Sequence, residues 1–339
     1  MFDIPKPYLI FVGEGEEALD IKTGLGLLEW RGDWCRGQYR LTQSAYDLGL
    51  ADMSPVQARD NGLATMVIGG ATFGGRLTIE WHAAVAKALE AGLNVASGLH
   101  DRLASYPDLV ALAHKNGVSL FDVRGLPDGF KPPVGSGRRR SGRRVLTVGT
   151  DCAVGKKYTA LCLERDMHKR GINATFRATG QTGVLISGGG IAIDAVVSDF
   201  LAGVVESLSP DASSEHWDII EGQGALHHPA YGAVSLGLLH GSQPDVFIVC
   251  HEVGRPELLG YPGVSVPSIQ DCIELNVHNA KRINPDIQCI GVSLNCSALD
   301  VNQRLEALVA LEHATGLPVV DPAYGTDRLI DKMLAVVTS

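Results

Sequence analysis

The stretch from Val145 to Arg165 constrains this chain more than any other. An apolar run, Val145 to Val148, reads as a buried strand. A turn carrying Gly149 and Gly155 follows, then Lys156, then a helical pattern through Arg165. Strand, glycine loop, lysine and helix form a phosphate cradle. Loop N–H groups and the positive end of the helix dipole wrap an anionic group, and the lysine adds a point charge. A plain glycine turn between strand and helix is the alternative.

The spacing departs from the common pattern. Five residues, not four, separate Gly149 from Gly155, and Lys157 stands where Ser or Thr is usual. Dethiobiotin synthetase and its relatives carry a similarly lengthened loop. The missing hydroxyl matters more, because it ordinarily binds magnesium. The loop therefore reads as a phosphate or pyrophosphate site poorly equipped for Mg-NTP hydrolysis.

At 339 residues the chain is long enough for two domains. A net charge of −9 argues against a general nucleic-acid binder, though a local loop can still hold a small anion. Seven cysteines without a Cys-x-x-Cys pair read as reduced thiols, hence a cytoplasmic protein. The N-terminus lacks the pattern of a signal peptide, and no apolar run approaches the ~20 residues that span a bilayer. Small-molecule substrates are expected, without nucleic acid or membrane, in a chain that could form a homo-oligomer.

Strands alternate with helices throughout, predicting an α/β fold with parallel sheets covered on both faces. Residues 1–125 read as a Rossmann- or flavodoxin-like domain. Its strands are expected at Tyr8–Val12, Met66–Gly70, Asn94–Ser97 and Val118–Val123, with helices at Glu16–Trp30, Ile79–Ala91 and Pro107–Asn116. Residues 31–62 show no clear pattern. The run Gly69 to Arg76 follows a strand and could line a cleft or be a flexible turn. Residues 126–144 read as a linker whose basic run, Arg138 to Arg144, is a solvated segment by default. Its place ahead of the loop strand also allows a role near a phosphorylated ligand. Residues 145–339 read as a P-loop NTPase-like domain. Strands are expected at Ala174–Ala178, Trp217–Ile220, Asp245–Cys250, Cys289–Leu294 and Pro318–Val320. Helices are expected at Ile193–Leu208, Ile269–Arg282, Gln303–Thr315 and Asp327–Val337.

Polar residues gather after these strands: Asp151, Lys156, Thr179, Gln181, Glu221, Gln223, His251 and Asn295. In a parallel sheet they share one edge. Glu221 ends an apolar strand and could accept a proton, hold a metal or cap a helix. His227 and His228 are adjacent, so they cannot make a His-x-x-x-His zinc face, but either could be a general base. Cys152 could carry an acyl group if the helix lowers its pKa. The catalytic candidates are Glu221, His228 and Gln181. The cofactor candidates are Gly149, Thr150, Asp151, Cys152, Ala153, Val154, Gly155, Lys156, Lys157, Tyr158 and Asn295. Arg177 and Arg255 are candidates for gripping a substrate carboxylate. No metal is implied, and N–H groups of Gly222 to Gly224 are candidates for an oxyanion hole.

The motifs Gly149 to Ala160, Ala178 to Gly183, Glu221 to Tyr231, Leu238 to Gly241, Cys250 to Pro256 and Gly291 to Asp300 together resemble the D-glutamate N-acetyltransferase family. The likeness covers most of 145–325 and is weaker toward the N-terminus. It implies transfer of acetyl from acetyl-CoA to the amine of a D-amino acid, D-glutamate in particular, in D-amino-acid catabolism. Coenzyme A carries a pyrophosphate that needs N–H groups and lysines but no magnesium-binding hydroxyl, in keeping with Lys157. The alternatives are an ATP- and Mg-dependent ligase or kinase of the dethiobiotin synthetase type, and a non-catalytic nucleotide- or CoA-binding regulator.

Overall fold

The computed structural model describes residues 2–18, 20–72, 75–127 and 129–338, with the side chains of residues 337 and 338 left aside. Phe73 and Gly74 of the glycine-rich run, Leu19 of the expected first helix and Met1 of the N-terminus lie outside the described residues. The chain divides into two compact units. The first is Met1–Lys131 with Gly180–Ala195, and the second is Pro132–Thr179 with Val196–Ser339.

The first unit contains β1 (Tyr8–Gly13), α1 (Lys22–Arg31), β2 (Cys35–Arg40), α2 (Pro55–Asp60), β3 (Thr65–Ile68), α3 (Ile79–Glu90), β4 (Asn94–Ser97), α4 (Pro107–Asn116) and β5 (Leu120–Asp122). Its sheet is parallel, in the order β2-β1-β3-β4-β5. Leu9, Phe11, Met66, Val95 and the α3 residues Trp81, Val85 and Leu89 are fully buried together. The unpatterned region 31–62 supplies an edge strand held by a polar side chain. Gln38 is buried, donates to Asp47 Oδ1 and the Leu50 carbonyl, and accepts from the Leu48 amide. A strand organised this way shows no apolar alternation.

The second unit begins with β6 (Arg143–Gly149), α5 (Lys156–Lys169) and β7 (Ala174–Arg177). The chain then returns to the first unit as α6 (Gln181–Ser187). The second unit resumes with α7 (Leu201–Leu208), β8 (Trp217–Ile220), α8 (Gly232–Ser242), β9 (Val246–Glu252), α9 (Ile269–Ala280), β10 (Gln288–Asn295), α10 (Val301–Thr315), β11 (Val319–Val320) and α11 (Asp327–Thr338). Its sheet is parallel, ordered β11-β10-β9-β6-β8-β7. The chain places β7 and β8 on one side of β6 and then β9 to β11 on the other, so the carboxyl end of β6 is a switch point of the kind where ligands bind.

Three expectations need correction. The division at 125 and 145 did not foresee that 180–195 belong to the first unit. The helix expected over Ile193–Leu208 is two 3-10 turns followed by α7, because Val197 is extended at ψ 134°. The basic run is solvated only in part: Arg138 and Arg139 are exposed, while Arg140 and Arg144 are buried. Arg140 is buried and donates to the Glu206 and Ser209 carbonyls after α7 and to Gly241 and Ser242 at the end of α8. It thereby satisfies orphan carbonyls and meets the negative ends of two helix dipoles. Burial lowers its pKa to about 10. Helix α8 itself was not expected, since glycines interrupt its pattern. Those glycines let α7 approach: a Cβ at Gly241 would stand 2.4 Å from the Ala202 carbonyl oxygen.

Candidate active site

The loop between β6 and α5 adopts the conformation its glycines permit. Gly155 has φ +100°, and Ala153 also takes a left-handed φ of 55°. A non-glycine residue there costs of order 1 kcal/mol, a strain that clusters at functional sites. The amides of Ala153, Val154 and Gly155 have no acceptor among the described residues. No side chain caps the start of α5. Unpaired N–H groups at a helix N-terminus form an anion seat.

Asp151 holds the loop in shape. It is fully buried, and its Oδ2 accepts from the Leu259 amide at 2.8 Å and Arg255 Nη1 at 2.9 Å, while Oδ1 accepts from the Cys152 amide at 2.6 Å. Burial works to raise this carboxyl, but the donors from Leu259, Arg255 and Cys152 outweigh it and hold the pKa below the usual range. Arg255 also donates to the Cys152 carbonyl and pairs with Glu252. Arg255, the candidate substrate clamp, thus braces the loop through these contacts.

His228 is buried against Asp151, 3.9 Å from its Oδ1. Its Nδ1 accepts from the Ala230 amide and its Nε2 faces the Leu259 carbonyl. Both ring nitrogens of this general-base candidate thus have protein partners. Asp151, Cys152 and His228 are the one close group of potential metal ligands among the described residues. The hydrogen bonds just given occupy its carboxylate and imidazole. Burial pushes the Cys152 thiol upward despite Lys156, opposite to what acyl transfer on that sulfur would need.

Lys156 is buried, with its Nζ donating to the Asp151 carbonyl at 2.7 Å. Its aliphatic stem lies beside Gly222, where a Cβ would stand 3.0 Å from Lys156 Cδ and only 1.7 Å from the Thr147 carbonyl oxygen. The Gly222 amide donates to Thr147 Oγ1 at 3.0 Å, which removes it from the expected oxyanion hole. Glu221 is buried at the end of β8, where its Oε2 accepts from the Thr179 amide at 2.9 Å. Arg177 pairs through Nε with buried Asp218 at 2.7 Å, which also binds His216 and Ser209. Gln181 lies in the first unit, outside the loop's unit.

Two features escaped sequence reasoning. His251 Nδ1 is 2.9 Å from Thr150 Oγ1, and burial, with help from Arg255, holds its pKa below the ordinary histidine value. Its position near the carboxyl end of β9 was visible, but not its pairing. The second is a cavity of about 480 Å³ beside the loop, walled by Gly155 and Tyr158, Asn295 at the end of β10, Arg304 on α10 and Tyr324. The Arg304 guanidinium sits 3.6 Å above the Tyr324 ring, and its Nε is buried without a partner among the described residues.

Residues 133–330 match the model of a P-loop domain of unknown function, DUF1611, and residues 37–126 match its Rossmann-like N-terminal companion. A D-glutamate N-acetyltransferase from Pseudoalteromonas sp. is 46% identical over 328 residues, 96% of this chain and 98% of its own length. The chain belongs to the D-glutamate N-acetyltransferase family. A second member, from Tritonibacter scottomollicae, is 44% identical over 98% of this chain and 100% of its own. The crystal structure of a DUF1611 family protein from Anabaena variabilis aligns with a TM-score of 0.83 at 33% identity, covering 99% of this chain and 100% of that one. The family's two-domain α/β architecture, Rossmann-like then P-loop, is the one described above.

Proposed function

We propose that this chain transfers an acetyl group from acetyl-CoA to the amine of D-glutamate. The observation that carries the reading is the near full-length identity to two proteins named for that activity. The loop supports it. Free amides at Ala153 to Gly155 and the start of α5 suit the pyrophosphate of coenzyme A, and Lys157 replaces the hydroxyl that Mg-NTP chemistry would want. The neighbouring cavity suits the adenosine end. Tyr324 offers a stacking face, Asn295 an amide, and Arg304 an unpaired donor.

The substrate arrives as an ammonium and must lose a proton before it can attack. His251 is the proton acceptor in this reading, in place of His228. Burial holds its pKa below the ordinary histidine value, and in the tautomer whose proton sits on Nδ1, facing Thr150 Oγ1, its Nε2 carries a lone pair. The amine then forms the C–N bond to the acetyl carbon. The C–S bond breaks, and the departing thiolate takes the amine's second proton. Free-thiol release with acetyl-CoA and a panel of D- and L-amino acids tests this. Turnover is expected to be greatest with D-glutamate, and no thiol release with it would overturn the proposal.

A further inference from the structure

The first unit has a cavity of its own, of about 360 Å³, at the carboxyl ends of β3 and β4. We propose that it holds the carboxylates of the acidic amino-acid acceptor, an inference that rests on the acetyl-transfer reading above. The size lies at the small end of the ~300–1,000 Å³ usual for small-molecule sites. The location has a topological basis: the chain leaves β1 toward β2 on one side and β3 on the other, and open parallel sheets bind ligands beside such a reversal.

The lining offers one fixed cation, Arg124, and several hydrogen-bonding side chains. Arg124 and His100 face the cavity with Thr23, Thr72 and Gln181, and no carboxylate lines it among the described residues. Arg124 is aimed by its own backbone surroundings, with Nε donating to the Gly98 carbonyl at 3.3 Å. Its Nη1 meets Asp194 at 3.3 Å, but that carboxylate is half exposed, and such a pair contributes little. An incoming carboxylate can replace it with a two-pronged contact to the guanidinium. Gly75, at φ +66°, brings His100 to the rim, since a Cβ there would stand 2.6 Å from the imidazole. The His100 amide donates to the Gly75 carbonyl at 3.0 Å and fixes that approach. Gln181 enters this wall two residues after Thr179 in the chain. A dicarboxylate with one amine uses such a set fully: one carboxylate on Arg124, the other on His100, Thr72 and Gln181.

Steady-state kinetics on the full chain decide the matter. Arg124→Gln should raise the KM for D-glutamate about 10- to 100-fold, the worth of charge-assisted hydrogen bonds, with the KM for acetyl-CoA within about twofold. Arg124→Lys, which keeps charge but loses the fork, should fall between. His100→Gln should raise the same constant about threefold to tenfold. Unchanged D-glutamate KM in folded Arg124→Gln and His100→Gln proteins overturns the site. If the wild type releases no thiol with D-glutamate, the functional reading fails and calorimetric titration with glutarate judges the site instead. Binding lost in Arg124→Gln supports it, and absent or unaltered binding overturns it.

Discussion

The two sheets carry their ligand-binding edges in contrasting ways. At the end of β6 the loop presents backbone N–H groups, and charged side chains such as Asp151 and Arg255 shape it. At the ends of β3 and β4 the backbone is cut back to glycine, and side chains from separate elements supply the polarity. A peptide cradle suits a pyrophosphate, which every acyl-CoA shares. A side-chain pocket suits an amino acid, which has to be chosen among near neighbours. The contrast makes variants in the two units separable. Changes in the second should fall on donor handling and chemistry, and changes in the first on acceptor affinity.

The largest expected effect is at His251. His251→Gln should lower kcat about 10²- to 10⁴-fold, the usual contribution of a general base, with the KM for D-glutamate little changed. Glu221→Gln is the control on the other side of β6, and a greater loss there than at His251 would move the proton acceptor to the carboxylate. The pH profile is a second check. Because the His251 pKa is depressed, kcat/KM should hold through neutrality and fall only below the ordinary histidine range. An acid limb centred above pH 7 would break the assignment.

Next in size is the brace of the loop. Asp151→Asn keeps the shape but removes the charge that Arg255 meets and one of the two oxygens that accept from Cys152, Leu259 and Arg255. Breaking a buried pair from one side costs about 3 kcal/mol, read as a lowered urea midpoint for the second unit. The sign of the pH effect follows from the depressed carboxyl. Its stabilisation is present above the unfolded carboxylate pKa and is lost as pH falls through the folded value. Wild type should therefore weaken more steeply with acid than Asp151→Asn, and parallel curves would contradict the bracing role.

The same contrast explains what could be read in the sequence. The loop from Gly149 to Lys157 was legible because a phosphate cradle is a local motif, fixed by glycine spacing and one strand-to-helix turn. Strands such as Asn94–Ser97 and Trp217–Ile220 were legible as apolar runs. Arg255, His228 and Arg140 were not, because each acts on partners distant in the chain: Asp151, Leu259, and the ends of α7 and α8. A buried arginine satisfying carbonyls looks the same in sequence as a solvated one. The first-unit cavity draws on Thr23, Thr72, His100, Arg124 and Gln181, and no spacing rule joins residues so scattered. Gln181 was even placed in the other domain, since nothing local marks a chain that leaves one unit for sixteen residues and comes back.

The smallest predicted effect is also the sharpest test of the separation. Tyr324 is largely exposed, and its ring both supports Arg304 and faces the cavity beside the loop. Tyr324→Leu keeps apolar bulk while removing the aromatic face. The loss of cation–π and base stacking is about 1 kcal/mol, roughly a fivefold rise in the KM for acetyl-CoA. The KM for D-glutamate should not move, because the acceptor's carboxylates are held in the first unit. Acetyl-pantetheine, which lacks the adenosine, should be indifferent to the substitution. If Tyr324→Leu instead weakens D-glutamate as much as acetyl-CoA, the division of labour between backbone cradle and side-chain pocket fails, and both substrates must be read as sharing the loop's own unit.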